Sequence, residues 1–158
     1  VIATIWDPAV VHQASRIGVG KSFVTMLGAK TKGSQGKPLR VKATIRTLFD
    51  GKYIFKGPIN TGLQADMGRT AVLRVNGVDV VVTEIKVGPN DPELLRSVGI
   101  EPTGKDIIVL KSKGMYRDAY EPLVREIIEV NTPGLTSVNL HEMPFRNIPR
   151  PMYPLDKI

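Results

Sequence analysis

Met67 to Val87 reads MGRTAVLRVNGVDVVVTEIKV, and this stretch decides the fold. Asn76-Gly77 stands between two alternating runs of β-forming residues. A type I′ turn needs positive φ at both central positions, which Asn and Gly adopt at least cost. Two antiparallel strands follow, and the two-residue loop fixes their register. Val75 then faces Val78, Arg74 faces Asp79, Leu73 faces Val80, Val72 faces Val81, Ala71 faces Val82, Thr70 faces Thr83 and Arg69 faces Glu84. Both charged pairs come out opposite in sign, as a stable ladder requires. One face collects Ala71, Leu73, Val75, Val78, Val80 and Val82, while Val72 and Val81 make the other partly apolar. The hairpin is therefore expected at the centre of a sheet and covered on both sides.

Upstream, Arg40 to Phe49 and Lys52 to Lys56 flank Asp50-Gly51, a second type I′ signal that predicts a second hairpin. Gly57 to Asp66 is too rich in turn formers for an element; its polar side chains either satisfy their own backbone or face a ligand. Lys21 to Ala29 reads as a strand, and Thr31 to Lys37 as a connector open to proteolysis. Val1 to Trp6 reads as a buried strand. Asp7-Pro8 then opens a helix that carries Val10, Val11, Ala14 and Ile17 inward and stops at Gly18 and Gly20.

Downstream, Asp91-Pro92 caps a short helix with Leu94, Leu95 and Val98 on one face and Gly99 at its end. Asp106 to Leu110 is an apolar strand suited to the middle of a sheet. Apolar residues from Tyr116 to Ile128 recur at helical spacing and predict the longest helix, which either kinks at Pro122 or begins there. Residues 131–158 carry five prolines and read as an extended tail over the body or a partner, anchored by Leu135, Phe145 and Tyr153. The expected fold is one α/β domain over 1–158: a mixed, mostly antiparallel sheet built on two β-hairpins, flanked by about three helices.

A chain of 158 residues is long enough to bury a real core without staples. It has no cysteine, so neither a disulfide framework nor a thiolate metal site is available, and a cytoplasmic location is the plainer reading. No apolar run approaches the ~20 residues of a membrane span. The chain starts inside an apolar run without an initiator Met, which reads as a piece of a longer polypeptide. A net charge of +7 with pI 9.8 raises a nucleic-acid or polyanion-binding module as an alternative. Its basic residues are spread, however, and Arg40, Lys42 and Arg46 alternate with Val41, Ala43 and Ile45 as on a solvated strand face. No basic strand interleaves aromatics for base stacking.

Chemistry is sparse. His12 and His141 have no partner at metal-ligand spacing, and Pro144 breaks any zinc-protease helix after His141-Glu142. Gly18-Val19-Gly20-Lys21-Ser22 follows a helix where a phosphate loop would precede one. No serine sits in a nucleophile elbow. Lys111-Ser112, at the carboxyl end of an inner strand, is either an anion- and carbonyl-binding pair or a solvated strand end.

Four motifs carry a resemblance. Ile5-Trp6-Asp7-Pro8, Thr61-Gly62 with Asp66-Met67-Gly68-Arg69-Thr70-Ala71-Val72-Leu73, Val109-Leu110-Lys111-Ser112 and Pro133-Gly134-Leu135-Thr136-Ser137 resemble the C-terminal domain of microcystinase C (MlrC)-type zinc metallopeptidases. The ending Pro149-Arg150-Pro151 and Tyr153-Pro154-Leu155-Asp156 is similar as well. The resemblance implies a non-catalytic domain that binds no cofactor itself, with zinc held by a separate N-terminal domain of the same polypeptide. It implies a peptide or amide substrate, and leaves open a homo-oligomer. Asp66, Arg69, Thr83, Glu84, Lys111 and Ser112 become candidates for the substrate cleft. Where the family pattern has a His or aromatic residue before the next Arg, this chain has Met115-Tyr116-Arg117, so no His role is carried over.

Overall fold

The computed structural model of the protein describes residues 1–32, 36–132 and 139–157. In chain order the elements are β1 (Ile2–Trp6), α1 (Pro8–Ile17), β2 (Ser22–Leu27), β3 (Leu39–Phe49), β4 (Lys52–Ile54), β5 (Gln64–Asp66), β6 (Thr70–Val75), β7 (Val78–Thr83), α2 (Glu93–Arg96), β8 (Val109–Leu110) and α3 (Arg117–Tyr120). Six strands form one sheet in the order β2-β3-β6-β7-β1-β8, and β4 pairs with β5 in a small second sheet. Pairing is antiparallel from β2 to β7 and parallel from β7 through β1 to β8.

The central hairpin has the register that its turn dictates, from Val75 opposite Val78 to Thr70 opposite Thr83. The Glu84 N–H donates to the Arg69 carbonyl at 3.1 Å and extends it by one pair. Both faces are covered. Ala71, Leu73, Val80 and Val82 pack with Val10, Val11 and Ala14 of α1, whereas Val72 and Val81 pack with Leu94 and Leu95 of α2. Val78 is 40% exposed, because it sits where the turn leaves both cores behind.

Helix α1 starts as its sequence requires. Asp7, fully buried, accepts from the Val10 N–H at 3.3 Å, Pro8 needs no N–H partner, and the Gly18 N–H closes the helix on Ala14. Ile17 is 40% exposed, so the helix buries a shorter stripe than expected. β2 runs back along it: Thr25 Oγ1 donates to Gln13 Oε1 at 2.8 Å, and the Gly28 N–H donates to Asp7 Oδ2 at 3.1 Å. Helix α1 thus packs against β2, β3, β6 and β7. On β3, Arg40, Lys42 and Arg46 are exposed and Val41, Ala43 and Ile45 buried, the solvated basic face its alternation predicts.

Four expectations need correction. Asp50-Gly51 makes a corner rather than a hairpin. Next to the turn, Thr47 to Phe49 of β3 pair with β6 instead of β4; β4 leaves the sheet and pairs with β5, which in turn claims Gln64 to Asp66 from the presumed loop. The 106–110 strand shrinks to Val109–Leu110 at the sheet edge, with Ile107 70% exposed. Pro122 ends the long helix: α3 spans four residues and passes into a 3₁₀ turn at Glu121–Leu123, leaving Ile128 and Val130 exposed. Along the tail, Tyr153 is 79% exposed and anchors nothing on the body, Phe145 is half-exposed, and Leu135 lies outside the described residues, as does the centre of the 31–37 connector.

Candidate functional site

Parallel pairing sends the carboxyl ends of β1, β7 and β8 to one edge of the sheet, where Trp6 pairs with Thr83. Asp7, Glu84 and Lys111 leave that edge, and Asp66 to Arg69 enters it on the way to β6. The predicted site residues therefore gather at one end of the molecule, but on its two different faces.

On the α1 side, Arg69 and Glu84 form a forked pair: Nε to Oε2 is 3.0 Å, Nη2 to Oε1 2.8 Å, and the Arg69 backbone N–H adds a bond to Oε2 at 3.1 Å. His12, not foreseen, joins them. Its Nε2 lies 2.9 Å from Glu84 Oε1 and 2.6 Å from Arg69 Nη2. Hydrogen bonds from Arg69, with the His12 ring beside them, pull the Glu84 carboxyl down to about 2. Only the parallel pairing of β1 with β7 brings His12 to Glu84, and no local spacing signals it. The Trp6 Nε1–H donates to the Glu84 carbonyl at 2.9 Å, and Lys86 Nζ lies 4.4 Å over the Trp6 ring.

Zinc does not suit this cluster, because the third group beside His12 and Glu84 is a guanidinium, which repels a divalent cation. Among the described residues no three His, Asp or Glu side chains converge to hold a metal ion. Nor, among them, is any helix long and apolar enough to cross a membrane.

On the α2 side a cleft of about 200 Å³ opens between the β4–β5 ribbon and the 87–91 segment. Asp66 and Asn90 line it, and the Ser112 hydroxyl donates to Asn90 Oδ1 at 2.7 Å, so Ser112 stands behind the wall. Asp66 also holds the turn into β6, accepting from the Gly68 N–H at 2.7 Å. Lys111 is exposed. Thr83 is fully buried, with no hydrogen-bond partner for its Oγ1 among the described residues, which removes it from the cleft surface. Sequence reasoning overlooked Tyr53 and gave Asp91 only its capping role. Both line the cleft.

The MlrC C-terminus family model matches residues 1–147. The chain belongs to that family. It is 28% identical to Microcystinase C of Sphingomonas sp over 160 residues, covering 99% of this chain and 29% of that protein. A crystal structure of a "Putative metallopeptidase" from Mesorhizobium sp. BNC1 superposes with a TM-score of 0.85 at 30% identity, covering 99% of this chain and 31% of that one. The chain thus corresponds to about a third of the length of these relatives and is a domain of a larger architecture.

Proposed function

We propose that this domain is the C-terminal, non-metal-binding part of a zinc-dependent peptidase or amide hydrolase. A separate N-terminal domain of the same polypeptide holds the zinc, and this one stabilises it and completes the substrate cleft. The observation that carries the reading is the coverage: nearly all of this chain matches less than a third of two relatives, one named a microcystinase and the other a metallopeptidase. The edge bearing Asp66, Arg69, Glu84, Lys111 and Ser112 is the surface for that cleft, since open sheets present ligands at their strand carboxyl ends. Arg69, locked by Glu84, offers a rigid donor for a substrate carbonyl or carboxylate. Residence in the cytoplasm belongs to the same reading.

The test uses the full-length polypeptide that carries this domain. Elemental analysis is expected to find one or more zinc ions per chain, and linear or cyclic peptides to be cleaved. An Arg69→Ala variant is expected to keep the zinc and lose about tenfold or more in kcat/KM. A full-length protein with no stoichiometric zinc and no amide hydrolysis would overturn the assignment.

A further inference from the structure

The cleft on the α2 side has a charge opposite to that of the chain. Net charge is +7, yet the ten residues lining the cleft include two carboxylates, Asp66 and Asp91, and no Lys, Arg or His. Among the described residues neither carboxylate takes part in an ion pair. Asp91 is 2% exposed, and among the described residues its carboxylate accepts only from neutral backbone donors: the Lys56 and Gly57 N–H groups at 2.9 and 2.7 Å and the Glu93 N–H at 2.8 Å. No cationic side chain among the described residues pairs with it beside the cleft.

A second observation is independent of the carboxylates. Tyr53 is 8% exposed and lines the cleft, and its hydroxyl has no hydrogen-bond partner among the described residues. The hydroxyl oxygen itself is not fully enclosed, so it is free to bond an occupant of the cleft. Burial and then the Asp91 charge push its ionisation up to about 12, so the phenol is a neutral group. Phe55 stands edge-on to Tyr53 with ring centroids 5.3 Å apart, so two aromatic rings form one wall. Aromatic faces and carboxylates together favour a cation, and an apolar occupant would leave both the hydroxyl and the charges unanswered.

Size narrows the choice. About 200 Å³ lies below the ~300–1,000 Å³ typical of sites for whole drug-sized ligands, and suits a single side chain. We propose that the cleft is a subsite for a basic side chain of the substrate, an ammonium or guanidinium group held by Asp66, Asp91 and Tyr53 against the aromatic wall. The proposal rests on the peptidase reading and names the class of residue that the enzyme would select.

Calorimetric titration of the full-length polypeptide with arginine amide, and with its neutral isostere citrulline amide, tests it without turnover. Arginine amide is expected to bind about tenfold more tightly or better. Asp66→Asn keeps an oxygen for the Gly68 N–H and is expected to cut that preference to about threefold or less. Tyr53→Phe removes a hydroxyl that bonds nothing, and is expected to weaken arginine amide severalfold at an unchanged melting temperature. Equal binding of the two amides, no saturable binding of either, or a preference unchanged in both variants would overturn the subsite. A protein that cleaves peptides but ignores the charge loses only this proposal. One that prefers arginine amide but holds no zinc loses only the peptidase assignment.

Discussion

Glu84 holds its place through Arg69 and His12, and its acidity records both. Its folded-state value, about 2, lies below the ordinary 4.5, so the carboxylate favours the native state above about pH 4.5. That contribution is lost as the pH falls from there through 2. Glu84→Gln is expected to lower stability slightly at neutral pH and to flatten this part of the acid limb in a series of melting curves, the effect kept small because solvent screens a partly exposed pair. Gly51 makes a harsher demand. With φ at 88°, a Cβ there would lie 1.9 Å from the Gly68 carbonyl oxygen. Gly51→Ala is therefore expected to cost about 2–4 kcal/mol in urea denaturation, from the strained backbone and the forced separation of two chain segments. The Asp-Gly dipeptide was legible as a turn, and its partners were not: nothing near Gly51 announces that Gly68 will press against it.

Elements whose specification is local came through the sequence intact. The Asn76-Gly77 turn sets all its own cross-strand pairs, and Asp7-Pro8 and Gly18 set both ends of α1. Asp7→Ala removes the bonds from Val10 and Gly28 and leaves Lys30, 2.7 Å away, without its carboxylate. The loss is expected to be about 2–4 kcal/mol, seen as a lower denaturation midpoint at constant m-value. Leu94→Ala in α2, whose side chain is fully buried, is expected to cost about 2–5 kcal/mol by the same measurement. Where sequence periodicity misled, a competing constraint was stronger. The stripe from Tyr116 to Ile128 is helical in spacing, yet Pro122 withholds an N–H and closes the helix after one turn. The 106–110 run has the apolarity of a central strand, but apolarity alone cannot tell the middle of a sheet from its edge.

At the scale of the whole molecule, the sequence showed the layers and left the strand order open, because order depends on which edges remain free. The same limit applied to the site. Asp66, Arg69, Glu84 and Ser112 lie beside or within motifs, whereas His12, Tyr53 and Asp91 join them only through pairings far apart in the chain. Exposed Ile107, Ile128 and Val130 are expected to become protected from hydrogen exchange in the full-length polypeptide, if the N-terminal domain docks where β8 ends the sheet. Exchange rates there equal to those of the domain alone would place the docking face elsewhere. The position of β1 also bears on how the chain is made. Ile2 pairs with Val80 on one side and Val109 on the other, so the first strand is the last to be completed. At roughly 5–20 residues per second of synthesis, both its neighbours leave the ribosome seconds after it does. During that interval an apolar strand with two open edges is available to chaperones, and co-translational folding of this domain is bound to begin from its middle.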